Sequence, residues 1–129
     1  MSGGSIRRRI ALGLAVLTAS GMLSLASPGP AEAAASVCSG RESRRLVFAT
    51  GEVRVYRSNG YLCAMTVPKR QGGHQWMSVS VRARGGRPVV DEGDYTKRAG
   101  PVTVHTGRRQ VWIKGAVGRE SVSSGWIRL

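Results

Sequence analysis

The sequence predicts an all-β domain, a small antiparallel sandwich or barrel of about six or seven strands with one disulfide. From Leu46 onward apolar residues recur at every second position and almost nowhere at helical spacing. Turn-forming glycines interrupt these runs at intervals of about ten residues. The chain has only two cysteines, Cys38 and Cys63, and both lie in the part predicted to leave the cytoplasm.

Each strand follows from its own pattern. Leu46–Thr50 and Glu52–Arg57 read as consecutive strands, the second with Val53 and Val55 on one face and Arg54 and Tyr56 on the other. Asn59-Gly60 takes the positive φ angles of a tight hairpin and leads into Tyr61–Val67. There Cys63 shares a face with Tyr61, Met65 and Val67, and is expected to point inward with the core. The run from His74 to Arg84 alternates most regularly. Met77, Val79, Val81 and Ala83 form an apolar face, and Ser78, Ser80, Arg82 and Arg84 a wet, basic one. Gly85-Gly86 ends that strand, and Val89–Gly100, rich in Gly and acids, reads as a loop. Pro101–Thr106 and Arg108–Val117 form another hairpin pair, and Ser124–Leu129 a last short strand.

The N-terminal 35 residues are of a different kind. Arg7, Arg8 and Arg9 precede an apolar run from Ile10 to Ala26 and a Pro-containing stretch of small residues, the pattern of a secretory signal peptide. The run of 17 residues is short for a membrane span and is diluted by Thr18, Ser20, Gly21 and Ser24. Cleavage is expected after about residue 33 or 35, leaving residues 36–129 as a single secreted domain with no transmembrane span. Triple arginine also admits twin-arginine export, although the residues after it match that pattern poorly.

In an oxidising compartment two lone cysteines pair, so Cys38–Cys63 is the predicted disulfide. Closing a loop of this length stabilises a small domain by roughly 3.5 kcal/mol on loop entropy. Two cysteines do not make a structural zinc site alone, and neither histidine lies at finger spacing from them.

The whole chain carries a formal charge of +13, and residues 36–129, without Arg7, Arg8, Arg9 and Glu32, carry +11. Such a field favours acidic partners. Arginine outnumbers lysine strongly, which suits phosphate or carboxylate recognition, although an Arg-rich codon bias produces the same composition. The candidate anion-binding residues are Arg82, Arg84, Arg108, Arg109 and Lys114, with Trp76 and Trp112 as stacking surface. Alternatively, Trp112 and Trp126 close the ends of a thin core. The expected partners are anionic polymers of a cell wall or spore surface, anionic lipid headgroups, or nucleic acid bound without sequence preference.

Enzymatic readings find less support. A small secreted ribonuclease would need an acid, a base and phosphate-binding cations, and His74, His105, Glu52, Glu120 and the arginines supply the residue types. His74, however, follows two glycines in a turn, and His105 falls on the exposed side of its strand. Ser78 and Ser80 are the polar half of an alternating strand rather than part of a nucleophile constellation. Asp91, Glu92 and Asp94 lack the ligand spacing of a calcium loop. No catalytic, metal or cofactor site is therefore expected.

Five segments in order, "VCSG", "NGYLCAMT", "MSVSVRARGG", "DEGDYTKRAGPVTV" and "VWIKGAVG", resemble the actinomycete secreted proteins called spore-associated protein A. The similarity spans roughly Ser36 to Gly118, and its most specific piece is "AGPV", Ala99 to Val102. The resemblance implies a small secreted protein associated with the spore or cell surface, without an established catalytic activity. The further C-terminal cysteine pair that such relatives often carry is absent from this chain.

Overall fold

A computed structural model describes residues 37–129. The predicted signal peptide, 1–35, lies outside the described residues. Eight strands follow in order: β1 (Arg41–Phe48), β2 (Gly51–Ser58), β3 (Tyr61–Pro68), β4 (Gln75–Ala83), β5 (Val89–Tyr95), β6 (Ala99–His105), β7 (Val111–Val117) and β8 (Glu120–Ile127). They form two four-stranded antiparallel sheets, β1-β2-β3-β6 and β5-β4-β7-β8. The sheets pack face to face without closing into a barrel, so the domain is a β-sandwich.

The predicted alternation builds the space between the sheets. Val53 and Val55 of β2, Leu62 and Ala64 of β3, and Ala99 and Val102 of β6 meet Met77, Val79 and Val81 of β4 and Val111, Ile113 and Val117 of β7. At the centre Thr66 is fully buried, and its hydroxyl donates to the Ser78 carbonyl on the opposite sheet at 2.8 Å. Gly115 lies against this bond: a Cβ there would meet Val53 Cγ2 at 2.2 Å and Thr66 Oγ1 at 2.6 Å. Thr50 makes a second crossing, its hydroxyl donating to the Val117 carbonyl at 2.8 Å.

The Cys38–Cys63 disulfide is present, with Cα atoms 5.7 Å apart. The expected direction of Cys63 is corrected. On β3 it is Leu62, Ala64 and Thr66 that face the other sheet, whereas Cys63 and Met65 face outward. They remain buried because Cys38 packs over them, joined by Tyr56, the register partner of Cys63 on β2, and by Val37 and Val67. The bridge thus builds a second small core on the back of the first sheet. Both faces of β3 are covered, so its inward set cannot be told from hydrophobicity alone.

The strand count is also corrected, from six or seven to eight. The segment read as a loop contains β5, which pairs with β4 from Val89↔Val81 to Tyr95↔Gln75. Asp91, Gly93 and Asp94 are poor strand formers, and Asp91 compensates with tertiary bonds. It accepts from the Tyr95 hydroxyl at 2.6 Å and from the Gly100 amide at 2.7 Å, tying β5 to the start of β6. β1 likewise begins at Arg41 rather than Leu46, because its first five residues are an exposed, polar sheet edge with no apolar period to reveal them.

Two bulges change which residues point inward. Between Ala64↔Val102 and Thr66↔Ala99, β3 advances two residues while β6 advances three. The extra residue lies at Gly100–Pro101, where Gly100 has φ of 90°. Ala99 and Val102, three apart, therefore both enter the core. This is the physical content of the "AGPV" segment.

Replacing Cys63 with alanine should lower stability by roughly 3 kcal/mol, on the order of 15 °C in Tm for a domain of this size. An unchanged melting temperature would contradict a structural role for the bridge. A second expectation concerns alkaline pH. Donation to the Asp91 carboxylate holds the Tyr95 hydroxyl above its ordinary pKa. The stability it contributes is complete below the ordinary tyrosine range, near pH ~10, and is lost as pH rises through the raised value. Tyr95→Phe should therefore be less stable than the parent at neutral pH, and the gap should close above pH ~10; a pH-independent gap would refute the link.

Candidate functional site

The outer face of the second sheet holds an open groove of about 520 Å³. Its floor comes from the wet side of β4, Ser78, Ser80 and Arg82, and from Trp112 and Lys114 of β7. Pairing sets their order: Arg82 lies opposite Trp112, Ser80 opposite Lys114, and Ser78 opposite Glu92. One wall is Pro88, Val90 and Glu92, and the other is Trp126 of β8.

Trp126 reaches this face through the second bulge. Trp112 pairs with Trp126, but Lys114 pairs with Ser123, so β8 carries one extra residue there. Gly125 has φ of 67°, and the Ser124 hydroxyl takes the place of a ladder carbonyl by accepting from the Ile113 amide at 2.9 Å. As a result Val122 and Ile127, five apart, both pack on the core, and Trp126 turns outward. Strict alternation would have placed Trp126 inside with Val122.

The indoles of Trp112 and Trp126 meet edge to face, with centroids 5.5 Å apart and planes at 83°. Two guanidinium groups lie over the Trp126 ring, Arg84 at 4.7 Å and Arg82 at 5.5 Å from its centroid. Cation–π attraction holds both in spite of their like charge. Arg82 also donates Nε–H to the Gly86 carbonyl at 2.9 Å. The Trp112 indole N–H is buried and has no acceptor among the described residues.

Of the predicted anion-binding residues, Arg82, Arg84, Lys114 and Trp112 come together here. Trp76 is on the same face of β4 and half exposed, but lies beyond the end of the groove. Arg108 and Arg109 occupy the turn between β6 and β7. Arg109 is committed to backbone carbonyls, His105 at 2.7 Å, Thr106 at 3.2 Å and Arg84 at 3.5 Å, and so fastens the turn to the end of β4. The Arg108 carbonyl accepts from Arg128 at 3.1 Å. The sequence alone offers Trp126 only as an end of the core, and it reads Val90 and Glu92 as part of a loop; the structure brings all three to the groove.

Charge is arranged differently on the two outer faces. The three ion pairs among the described residues all lie on the first sheet: Arg45 with Glu42 at 2.8 Å, and Glu52 with Arg45 at 3.1 Å and Arg54 at 3.4 Å. Arg82, Arg84, Lys114 and Glu92 form no ion pair among the described residues. Glu52 is thus engaged by two arginines. His74 follows the end of β3, whereas His105 pairs with Tyr61 at its start and stacks edge-on to it at 4.9 Å. The histidines therefore sit at opposite ends of the sandwich, and neither forms an ion pair with a carboxylate. Among the described residues no three metal-ligating side chains cluster, and no helix is long and apolar enough to cross a membrane.

No family model, curated protein or solved structure matches this chain.

If the bulge sets the direction of Trp126, Gly125→Val should cost ~1–2 kcal/mol through strain at positive φ. It should also weaken the near-UV circular dichroism of the tryptophan pair. A variant that keeps both the signal and the stability would show that the bulge does not place Trp126.

Proposed function

We propose that this chain is a noncatalytic secreted protein of the cell or spore surface that holds anionic polymers on the outer face of its second sheet. The observation that carries this reading is the convergence of Arg82 and Lys114 beside Trp112 and Trp126 in one open groove, with Arg84 over the Trp126 ring, all three cations without carboxylate partners. Guanidinium groups held over an indole are pre-oriented, so an incoming phosphate or carboxylate meets them with less ordering cost. The net positive charge adds long-range attraction to any polyanion. A disulfide fits an oxidising, extracellular setting. The similarity to spore-associated protein A supports a place on a cell or spore surface. The engagement of Glu52 and the separation of the histidines weigh against the alternative, a small ribonuclease or related hydrolase.

The test is sedimentation of the purified mature protein with isolated cell walls or spores, and separately with RNA, across a salt series. Binding should fall as salt rises, and Arg82→Ala/Arg84→Ala should weaken it and flatten the logarithmic salt dependence by about 2. RNA should stay intact. Binding indifferent to both arginines would remove the groove from the account. RNA cleavage abolished by His74 or His105 substitution would make the protein an enzyme.

A further inference from the structure

The groove is not uniformly basic. Its cations lie toward β7 and β8: Lys114 on β7, and Arg82 over the Trp126 ring, which Arg84 also covers from outside the lining. Its single carboxylate, Glu92, lies on β5, two strands away from Lys114, or about 10 Å across the sheet. Between them run Ser78 and Ser80, short hydroxyl side chains that leave room and offer hydrogen bonds. Glu92 makes no ion pair, although two unpaired cations, Arg82 and Lys114, line its groove. The other carboxylates nearest to it on β5 differ in place and use. Asp91 is turned to Tyr95 and Gly100, and Asp94 pairs in register with Trp76, beyond the groove.

A site for a plain polyanion gains nothing from a carboxylate on its wall, because like charges repel at this range. A ligand with both signs of charge uses the whole groove. We infer that the groove selects an amphoteric polymer segment. Its phosphodiester would be taken by Arg82 and Arg84, and a primary ammonium carried further along the same polymer by Glu92, which is level with Ser78 and so four residues, about 13 Å, along β4 from Arg82. Lys114 adds attraction for the anionic backbone, and the serines bridge the two ends. This rests on the reading of the groove as an anion site and names the class of polymer that it prefers.

Poly(glycerol phosphate) bearing aminoacyl esters, and the same polymer after alkaline removal of those esters, differ in the aminoacyl group that carries the ammonium. Titrations at one ionic strength, followed by tryptophan emission, should show the aminoacylated polymer binding about threefold more tightly, the scale of one exposed ion pair. Glu92→Gln should erase that preference and tighten binding of the stripped polymer. Arg84→Ala should weaken both polymers. Equal affinity of the parent protein for the two polymers, or a preference that survives Glu92→Gln, would overturn the amphoteric site and leave the anion site standing. Failure of both polymers to bind would overturn both. Binding confined to phosphatidylethanolamine vesicles would assign the same chemistry to a membrane and overturn the polymer.

Discussion

The structure depends on how closely its two sheets approach at Thr66, Ser78 and Gly115. Packed sheets ordinarily stand about 10 Å apart, filled by interdigitating side chains. Here a hydroxyl from one sheet bonds directly to a carbonyl of the other, and only a glycine leaves room beside it. A buried hydroxyl without a partner would cost about 1–3 kcal/mol, so the bond fixes the spacing as well as satisfying the group. The surrounding core is accordingly built from valine, alanine, Leu62, Ile113 and one methionine, Met77, with no fully buried aromatic ring. Ser78 itself lines the groove and Gly115 follows Lys114 along β7, which makes the same contact the foundation of the groove floor.

A thin core leaves the outer faces to settle what the domain shows to its surroundings, and the two sheets settle this in opposite ways. The first covers part of its back with the disulfide and the side chains around it, and neutralises much of the rest with Glu42, Glu52 and their arginines. The second leaves its back open, places both tryptophans of the pair there, and keeps its charges unpaired. Exposed ion pairs contribute at most about 1 kcal/mol each, so this difference has little weight in stability. It has more weight in recognition, because an unpaired guanidinium needs no partner displaced before it meets an anion.

The bulges connect these two levels. Each adds one residue to one strand, and each lets residues an odd number of positions apart face the same side. At Gly100–Pro101 this serves the core, bringing in Ala99 and Val102 together. At Ser124–Gly125 it serves both sides at once, since Val122 and Ile127 stay inward while Trp126 joins the groove. A regular β8 would have had to give up either core contacts or the platform under Arg82 and Arg84.

The sequence by itself determined the all-β class, the single disulfide and the inward set of β4, because period-two alternation and a lone cysteine pair are local or combinatorial facts. It also placed Arg82 on the wet side of its strand, for the same reason, and left Trp112 open between that surface and the end of the core. Only the tertiary structure decided that β5 is a strand, since its Asp and Gly residues gain their bonds from β4 and from Gly100, outside the segment. It alone turned Cys63 to the back of its sheet, where Cys38 covers it, and it alone brought Trp126 under two arginines. A bulge shifts the parity of every residue beyond it, and composition carries little trace of where the ladder slips; that is settled by which side chains the opposing sheet has room to receive.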